Sequence, residues 1–176
     1  MGEQAEEARA GTGEAVELRL PRNRVSPVAK WYWATRAFLG WVVVLAVELG
    51  WLVMAGTGNA GAHVLGLVVT GVLALVHLIV MPQWRYAVHR WEVTPDAVYT
   101  QSGWLDQEWR IAPVSRIQTV DSERGVLQRL FGLADLTVTT ASSAGALKIH
   151  GLGAEVAQRA ADELTGNAVA SEGDAT

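Results

Sequence analysis

Two apolar stretches, AFLGWVVVLAVELGWLVMAG at residues 37–56 and VLGLVVTGVLALVHLIVM at residues 64–81, decide the fold class of this 176-residue chain. Between Arg36 and Arg85 lie 48 residues that carry one formal charge, on Glu48. At about 1.5 Å per residue, the two stretches form helices roughly 30 and 27 Å long, enough to cross a bilayer core of about 30 Å. The sequence therefore predicts two transmembrane helices joined by the turn TGNAGAH.

Aromatic residues flank both stretches. Trp31, Tyr32 and Trp33 precede the first, while Trp84 and Tyr86 follow the second. Because Trp and Tyr are enriched at membrane–water interfaces, we expect these side chains in the headgroup region. A buried hairpin of a soluble bundle is the alternative. A secretory signal is disfavoured, since the first stretch starts too late and a second one follows it.

The distribution of basic residues predicts the orientation of the helices. The turn at residues 57–63 contains no Lys or Arg, whereas the flanks include Arg22, Arg24, Lys30, Arg36, Arg85 and Arg90. By the positive-inside rule, both termini are expected in the cytoplasm and the turn outside. The chain would then be a multi-pass protein of the cell membrane. It has no cysteine, which excludes disulfides and thiolate metal sites.

Composition and periodicity divide the chain into seven segments. The predicted segments are a disordered acidic tail (1–18), an interfacial lead-in (19–36), a first transmembrane helix (37–56), an external turn (57–63), a second transmembrane helix (64–82), a cytoplasmic domain (83–165) and a disordered tail (166–176). Gly166 is placed as the C-cap of a terminal helix that begins near Ala154. The lead-in cannot be one continuous helix, because it contains Pro21 and Pro27.

Alternating hydrophobicity after Arg85 predicts an antiparallel barrel or sandwich of six short strands. A short helix is expected between the fourth and fifth strands, ending at Gly132, and a C-terminal helix packs on the barrel. The residues predicted to form the core are Trp91, Trp109, Ile111, Leu136, Val138, Leu147 and Ile149, against Val156, Ala160 and Leu164 of the C-terminal helix.

The segment RIQTVDSERGVLQRLFGLADLTVTTAS, residues 116–142, resembles the signature of bacterial pleckstrin-homology (PH) domains in YdbS-like membrane proteins. The order of parts is also similar: a lead-in, two transmembrane helices and one cytoplasmic domain. The resemblance implies a PH-like fold, in which a seven-stranded, strongly bent antiparallel sheet is closed by a C-terminal helix. It does not imply a function, because this family consists largely of membrane proteins without an assigned role.

Four residues of the apolar helices are candidates for an intramembrane polar or packing site. A carboxylate near mid-membrane is costly unless it is neutral or paired, and the helix register places Thr70 opposite Glu48. His77 lies about 10 Å from the depth of Glu48 along the helix axis. This distance of about 10 Å argues against a direct proton relay between the two side chains within one hairpin, but not between two protomers. Gly66 belongs to a small-residue stripe that is predicted to pack on Ala46 and Gly50, with homo-oligomerisation as the alternative.

Three signature residues, Arg116, Gln118 and Arg129, are candidates for domain interaction or for a structural clamp. A charged side chain beside strands more often binds backbone carbonyls or acidic neighbours than a ligand, which favours the clamp. The Thr-rich strand LTVTTASS is predicted to be a sheet edge, where free backbone groups could pair with a peptide.

No residue pattern predicts catalysis, a cofactor or a metal site. Residues 85–165 hold eight Lys/Arg and ten Asp/Glu, a net charge of −2, which argues against nucleic-acid binding. The hairpin EVTPDAVYT lacks the basic residues that would clamp a phosphoinositide. We therefore predict a non-enzymatic, membrane-anchored module that binds the bilayer and a protein partner. The alternative is a subunit of an export or permeation complex that uses Glu48.

Overall fold

The computed structural model describes residues 20–55, 58, 60–141 and 145–173, with side chains described as far as residue 168. The predicted acidic tail, residues 1–18, and the last three residues of the predicted C-terminal tail lie outside the described residues. Within them, an apolar helical hairpin precedes two antiparallel sheets and a C-terminal helix. The predicted fold class, a membrane hairpin followed by a PH-like domain, is confirmed.

The two apolar helices are longer than predicted. Helix α1 spans Ala29–Ala55 and helix α2 spans Ala60–Val88, so the turn between them is shorter than residues 57–63. Pro82 lies inside α2 rather than at its end. Hydrophobicity marks the part of a helix that meets lipid but not its ends, and proline is tolerated where neighbouring helices satisfy the freed backbone groups.

The two helices pack along one seam. In α2 the inward-facing residues recur at alternating spacings of four and three: His63, Leu67, Thr70, Ala74, His77 and Met81. Such spacing is typical of helices that cross at a small angle. Most other apolar side chains of the hairpin are exposed, and only 0% and 11% of the residues in the most apolar windows of α1 and α2 are buried. The hairpin is therefore not the buried core of a soluble bundle.

In the residues that the structure describes, seven strands form two antiparallel sheets. The first sheet has the order β1-β2-β3-β4 and the second the order β5-β6-β7. The strands are β1 (Asn23–Arg24), β2 (Arg90–Val93), β3 (Ala97–Gly103), β4 (Gln107–Pro113), β5 (Ile117–Glu123), β6 (Leu133–Thr140) and β7 (Leu147–Gly153). The six predicted strands correspond to β2–β7. The short helix α3 spans Val126–Leu130 and ends before Gly132, which has the positive φ of a helix stop.

Helix α4, Ala154–Gly173, packs on β5, β6 and β7. Its Ala157, Ala160 and Leu164 are buried against the second sheet. The predicted C-cap at Gly166 is wrong, because the helix continues seven residues beyond it. Glycine costs only about 1 kcal/mol in a helix interior, and the following residues include good helix formers. Residues 166–173 are therefore helix rather than a disordered tail.

The predicted core is correct for the second sheet and wrong for part of the first. Leu136, Val138, Leu147 and Ile149 are buried, as predicted. Trp109 is 44% exposed, however, while Trp91, Ile111 and Val156 are half-buried. In the register of β3 with β4, Val98 pairs with Ala112 on the core face, so Trp109 and Ile111 face the other way. Assigning the core-facing side of β4 by the large aromatic side chain of Trp109 gives the wrong side. Adjacent residues of a strand point to opposite sides of the sheet, so an error at one residue reverses the whole strand.

The lead-in is part of the domain, which the sequence did not predict. Strand β1 pairs with β2 and adds the seventh strand that the family resemblance implied. Val25, Ala29 and Trp33 are buried in the same core as the second sheet. The predicted domain boundary at residue 83 is therefore too late, because the chain enters the domain once before the helical hairpin and again after it.

Candidate functional site

Trp33 lies at the junction between the helical hairpin and the domain. Its side chain is only 3% exposed, although the sequence predicted a position among lipid headgroups. The Arg85 guanidinium lies 4.6 Å from the centre of its ring, and the His89 ring centre lies 5.0 Å from it. Both partners come from the end of α2 or directly after it, so one indole joins the first turns of α1 to the exit of α2.

Gly151 on β7 packs against the first turns of α1. It has φ +76°, and a Cβ at this position would lie 2.9 Å from the Cβ of Ala29 and 3.3 Å from the Trp33 ring. Its carbonyl accepts a hydrogen bond from the backbone N–H of Ser26, at 3.0 Å. Only glycine combines this conformation with so close an approach of α1.

Asp135, within the signature segment, organises the polar side of the junction. Its Oδ2 lies 2.8 Å from Nδ1 of His150, and its Oδ1 accepts a hydrogen bond from the N–H of Gly151 at 2.9 Å. Burial would raise the pKa of Asp135, but the hydrogen bonds from His150 and Gly151 outweigh burial and hold the pKa below its ordinary value. The ionised carboxylate thus fixes the Gly151 backbone that contacts α1.

His89 is buried in the junction, directly after α2. Its Nδ1–H donates to the carbonyl of Arg85 at 2.7 Å, because a carbonyl only accepts. Burial and the nearby charge of Arg85 together lower the pKa of His89 from 6.5 to about 4, despite the raising effect of that hydrogen bond. The folded protein therefore holds His89 neutral at pH 7.

We expect the domain to lose stability between pH 6.5 and pH 4. The folded-state pKa of His89 lies below the unfolded value, so protonation favours unfolding progressively across this window, by at most about 1.4 kcal/mol per pH unit. Urea unfolding of the detergent-solubilised protein at several pH values measures this slope. His89→Gln is the control, and it should reduce the slope. Equal slopes in the two proteins would contradict this assignment.

The predicted pair within the apolar helices is confirmed. Oγ1 of Thr70 donates to Oε1 of Glu48 at 2.8 Å, while Oε2 of Glu48 is buried with no hydrogen-bond partner among the described residues. His77 lies elsewhere, where its Nδ1 accepts a hydrogen bond from the indole of Trp41 at 2.9 Å. Within one chain, the described contacts of Glu48 thus form no relay with His77.

Gly66 does not serve the helix packing predicted for it. A Cβ on Gly66 or on Gly50 would meet nothing within 4 Å, and Ala46 is exposed. At 100° per residue, a strict four-residue repeat drifts by about 40° per step around the helix. Of the predicted stripe, only Thr70 and Ala74 therefore lie in the seam.

The three signature candidates occupy separate exposed positions. Arg116 ends the 3-10 turn Val114–Arg116, and Gln118 sits at the irregularity in the pairing of β5 with β6. Arg129 lies on α3. The side chains of Arg116 and Arg129 make no hydrogen bond or ion pair with any residue that the structure describes, so the predicted clamp is not observed.

Arg116 instead lines a groove, here called the β4 groove. Its volume is about 290 Å³, and it is lined by Trp109, Arg110, Ile111, Ala112, Pro113, Arg116, Thr140, Gly145 and Leu147. Five consecutive residues of β4 contribute, so the groove follows the edge of this strand rather than one face. The guanidinium of Arg110 crosses to the opposite wall, where Nη1 donates to the carbonyl of Ala146 at 2.9 Å.

Among the described strands, β4 lies outermost in its sheet, as β1, β5 and β7 do in theirs. The Thr-rich strand predicted as an edge is β6, which lies in the centre of its sheet. β-Propensity distinguishes strand from helix but does not reveal which strands lie outermost. In the described residues, β4 pairs only with β3, which leaves its other side available.

The sequence also missed the junction residues. Asp135 stands inside the quoted signature, and Gly151 lies within β7, so both were visible as departures from an apolar pattern. Nothing in the local sequence of His89, however, indicates that it approaches Trp33, and nothing in that of His150 indicates that it contacts Asp135. These contacts depend on the packing of segments that are distant in sequence.

A family model described as the bacterial PH domain matches residues 34–168, which include most of α1, all of α2 and the domain from β2 to Ala168 of α4, but not β1 or Trp33. The chain belongs to the bacterial PH domain family. The resemblance noted in residues 116–142 is thus confirmed. This bacterial PH domain protein is similar to the UPF0699 transmembrane protein YdbS of Bacillus subtilis (strain 168), with 27% identity over 154 residues that cover 82% of the present chain and 91% of that relative. No solved structure matches the chain significantly.

The family match and the exposed apolar helices together identify a membrane protein. The matched region includes both the helical hairpin and the domain, so the family unit is the pair rather than the domain alone. In this bacterial PH domain protein, the junction around Trp33 is the part that joins them.

Proposed function

We propose that this protein is a non-enzymatic interaction module held at the cytoplasmic face of the cell membrane by a hairpin that crosses the bilayer twice. Lys and Arg residues flank the hairpin on the domain side, among them Arg36 and Arg85, whereas the turn has none, which supports the orientation. Outward-facing apolar side chains along both helices support the double crossing.

The junction gives such a module a fixed geometry. Because Trp33 is packed between Arg85, His89 and Gly151, the domain is joined to the hairpin by a packed contact as well as by chain connections. A domain fixed at the membrane surface meets membrane-bound partners at raised effective concentration. We therefore place the partner in or at the same membrane.

The proposal that this protein binds a partner rests on the β4 groove. An extended segment could add to the free edge of β4 through backbone hydrogen bonds, the mode known as β-augmentation. Trp109 and Ile111 would contact its apolar side chains. The guanidinium of Arg116, which has no partner among the described residues, would bind a carboxylate of the same segment. The proposed partner is thus a protein that presents an extended apolar segment with an acidic residue.

Photo-crosslinking in native membranes tests this proposal. With a photoreactive amino acid at Ile111, we expect a discrete protein adduct that is at least about tenfold weaker in Arg116→Glu, since a charge-assisted hydrogen bond is worth roughly 1.5–3 kcal/mol. Arg159→Glu, an exposed arginine on α4, is the matched control and should leave the adduct unchanged. No adduct, or equal adducts in both variants, would contradict the proposal.

A further inference from the structure

The β3–β4 tip, formed by Trp104, Leu105 and Asp106, extends to the apolar helices. The ring of Trp104 lies 5.3 Å from the ring of His77 on α2, centre to centre, at an interplanar angle of 31°. His77 is itself held by the indole of Trp41 on α1. A loop of the domain thus contacts a residue of the seam between the two helices.

The contact with His77 sets the depth of the tip. Trp41 lies opposite His77, five residues beyond Arg36, the last charge before the apolar stretch of α1. At 1.5 Å per residue, the ring of His77 is about 7 Å further along the hairpin than Arg36. That distance corresponds to the boundary between headgroups and acyl chains, where amphipathic segments bury their apolar faces about 5–10 Å deep.

The composition of the tip fits that depth. Leu105 is 82% exposed, and in α2 the residues Leu73, Val76 and Val80, within one turn of His77, are also exposed. The exposed leucine therefore continues the apolar surface of the helical hairpin. Asp106 is exposed at the same tip and would stay with the headgroups, which limits insertion to the boundary region.

We propose that the β3–β4 tip is a third membrane contact, in which Trp104 and Leu105 insert into the leaflet on the domain side of the bilayer. The partner of this surface is the lipid itself. The inference rests on the membrane placement proposed above but not on the β4 groove. The turn between β2 and β3, which carries Asp96, lies at the opposite end of the seven-residue strand β3, about 20 Å along the strand from the tip.

Position-dependent quenching tests the proposal in the full chain. Because the protein has no cysteine, a bimane fluorophore can be attached to single cysteines at Leu105, at Asp96 as a matched control in the same sheet, and at Leu73 on α2. The proteins are reconstituted in phosphatidylcholine–phosphatidylglycerol vesicles that contain lipids spin-labelled near the top of the acyl chain. We expect quenching at Leu105→Cys to be at least about twofold stronger than at Asp96→Cys.

The label at Leu73 distinguishes a failure of the tip to contact the membrane from a failure of the membrane placement of the whole protein. Quenching at Leu73→Cys without quenching at Leu105→Cys would overturn the membrane contact of the tip while leaving the hairpin in the bilayer. Absence of quenching at both positions would overturn the membrane placement itself. A second variant, Trp104→Ala in the Leu105→Cys background, should at least halve the quenching at Leu105, because the contact with His77 that fixes the depth is removed. Unchanged quenching in that variant would contradict the role given to Trp104.

Discussion

Leu164→Asp is expected to destabilise the domain by more than about 4 kcal/mol, a large share of the roughly 5–15 kcal/mol that holds a typical domain folded. Leu164 is 0% exposed, in the contact between α4 and the second sheet. The substitution removes a buried leucine, which alone costs about 2–5 kcal/mol, and places a carboxyl group where no water can solvate it.

The loss is measured by urea unfolding of the detergent-solubilised protein, followed by protease resistance of the domain. Glu163→Asp introduces the same side chain at the neighbouring, exposed position of α4 and should change the free energy of unfolding by less than about 0.5 kcal/mol. If the two variants were equally stable, α4 would not pack on the sheet as described.

Trp33→Ala is expected to destabilise the junction by about 3–5 kcal/mol, the cost of truncating a buried aromatic residue. The variant also removes the stacking partner of Arg85 and of His89. A domain that is no longer packed against α1 should become more susceptible to proteolysis around residues 20–33, while its second sheet remains largely protected.

Trp31→Ala provides a matched control for this prediction. Trp31 is two residues away in the same helix but is 70% exposed, so its removal should have little effect on the free energy of unfolding. The sequence alone placed both tryptophans in the headgroup region. Equal, small effects of the two substitutions would favour that original interpretation and contradict the buried junction.

The burial of Trp33 also changes what can be expected of an isolated domain. The sequence alone placed the domain at residues 83–165, so a fragment that starts after the hairpin would be chosen to represent it. Such a fragment lacks β1 and the buried side chains of Val25, Ala29 and Trp33. We therefore expect it to be less stable than the domain of the full chain, with a solvent-exposed Gly151 surface in place of the junction.

The fold could be predicted from the sequence wherever a segment showed one clear hydrophobic pattern along its whole length. Two long uncharged stretches indicated the helices, and alternation identified all six strands from β2 to β7. The pattern did not supply the inward face of β4, because Trp109 is large and apolar yet points away from the core. Nor did it supply the helix ends, since Pro82 and Gly166 are strong local signals that the surrounding helices override.

The candidate site could be predicted where two residues had only to lie at the same depth in the membrane on two antiparallel helices. The Glu48–Thr70 pair followed from counting residues from each end of an antiparallel hairpin. By contrast, the junction and the β4 groove unite residues from β1, β4, β6 and β7 with the ends of α1 and α2. Such sites arise from strand order and from the entry angle of the chain, which local sequence does not encode.

Labelling of single cysteines tests most directly whether the membrane holds the domain at its cytoplasmic face. Gly58 lies in the turn between the helices and Asp96 in the domain, and both are exposed in a chain without native cysteine. In right-side-out membrane vesicles, a membrane-impermeant maleimide should label Gly58→Cys at once and Asp96→Cys only after permeabilisation. Labelling of Asp96→Cys in intact vesicles, with Gly58→Cys protected, would contradict both the orientation and the cytoplasmic placement of the domain.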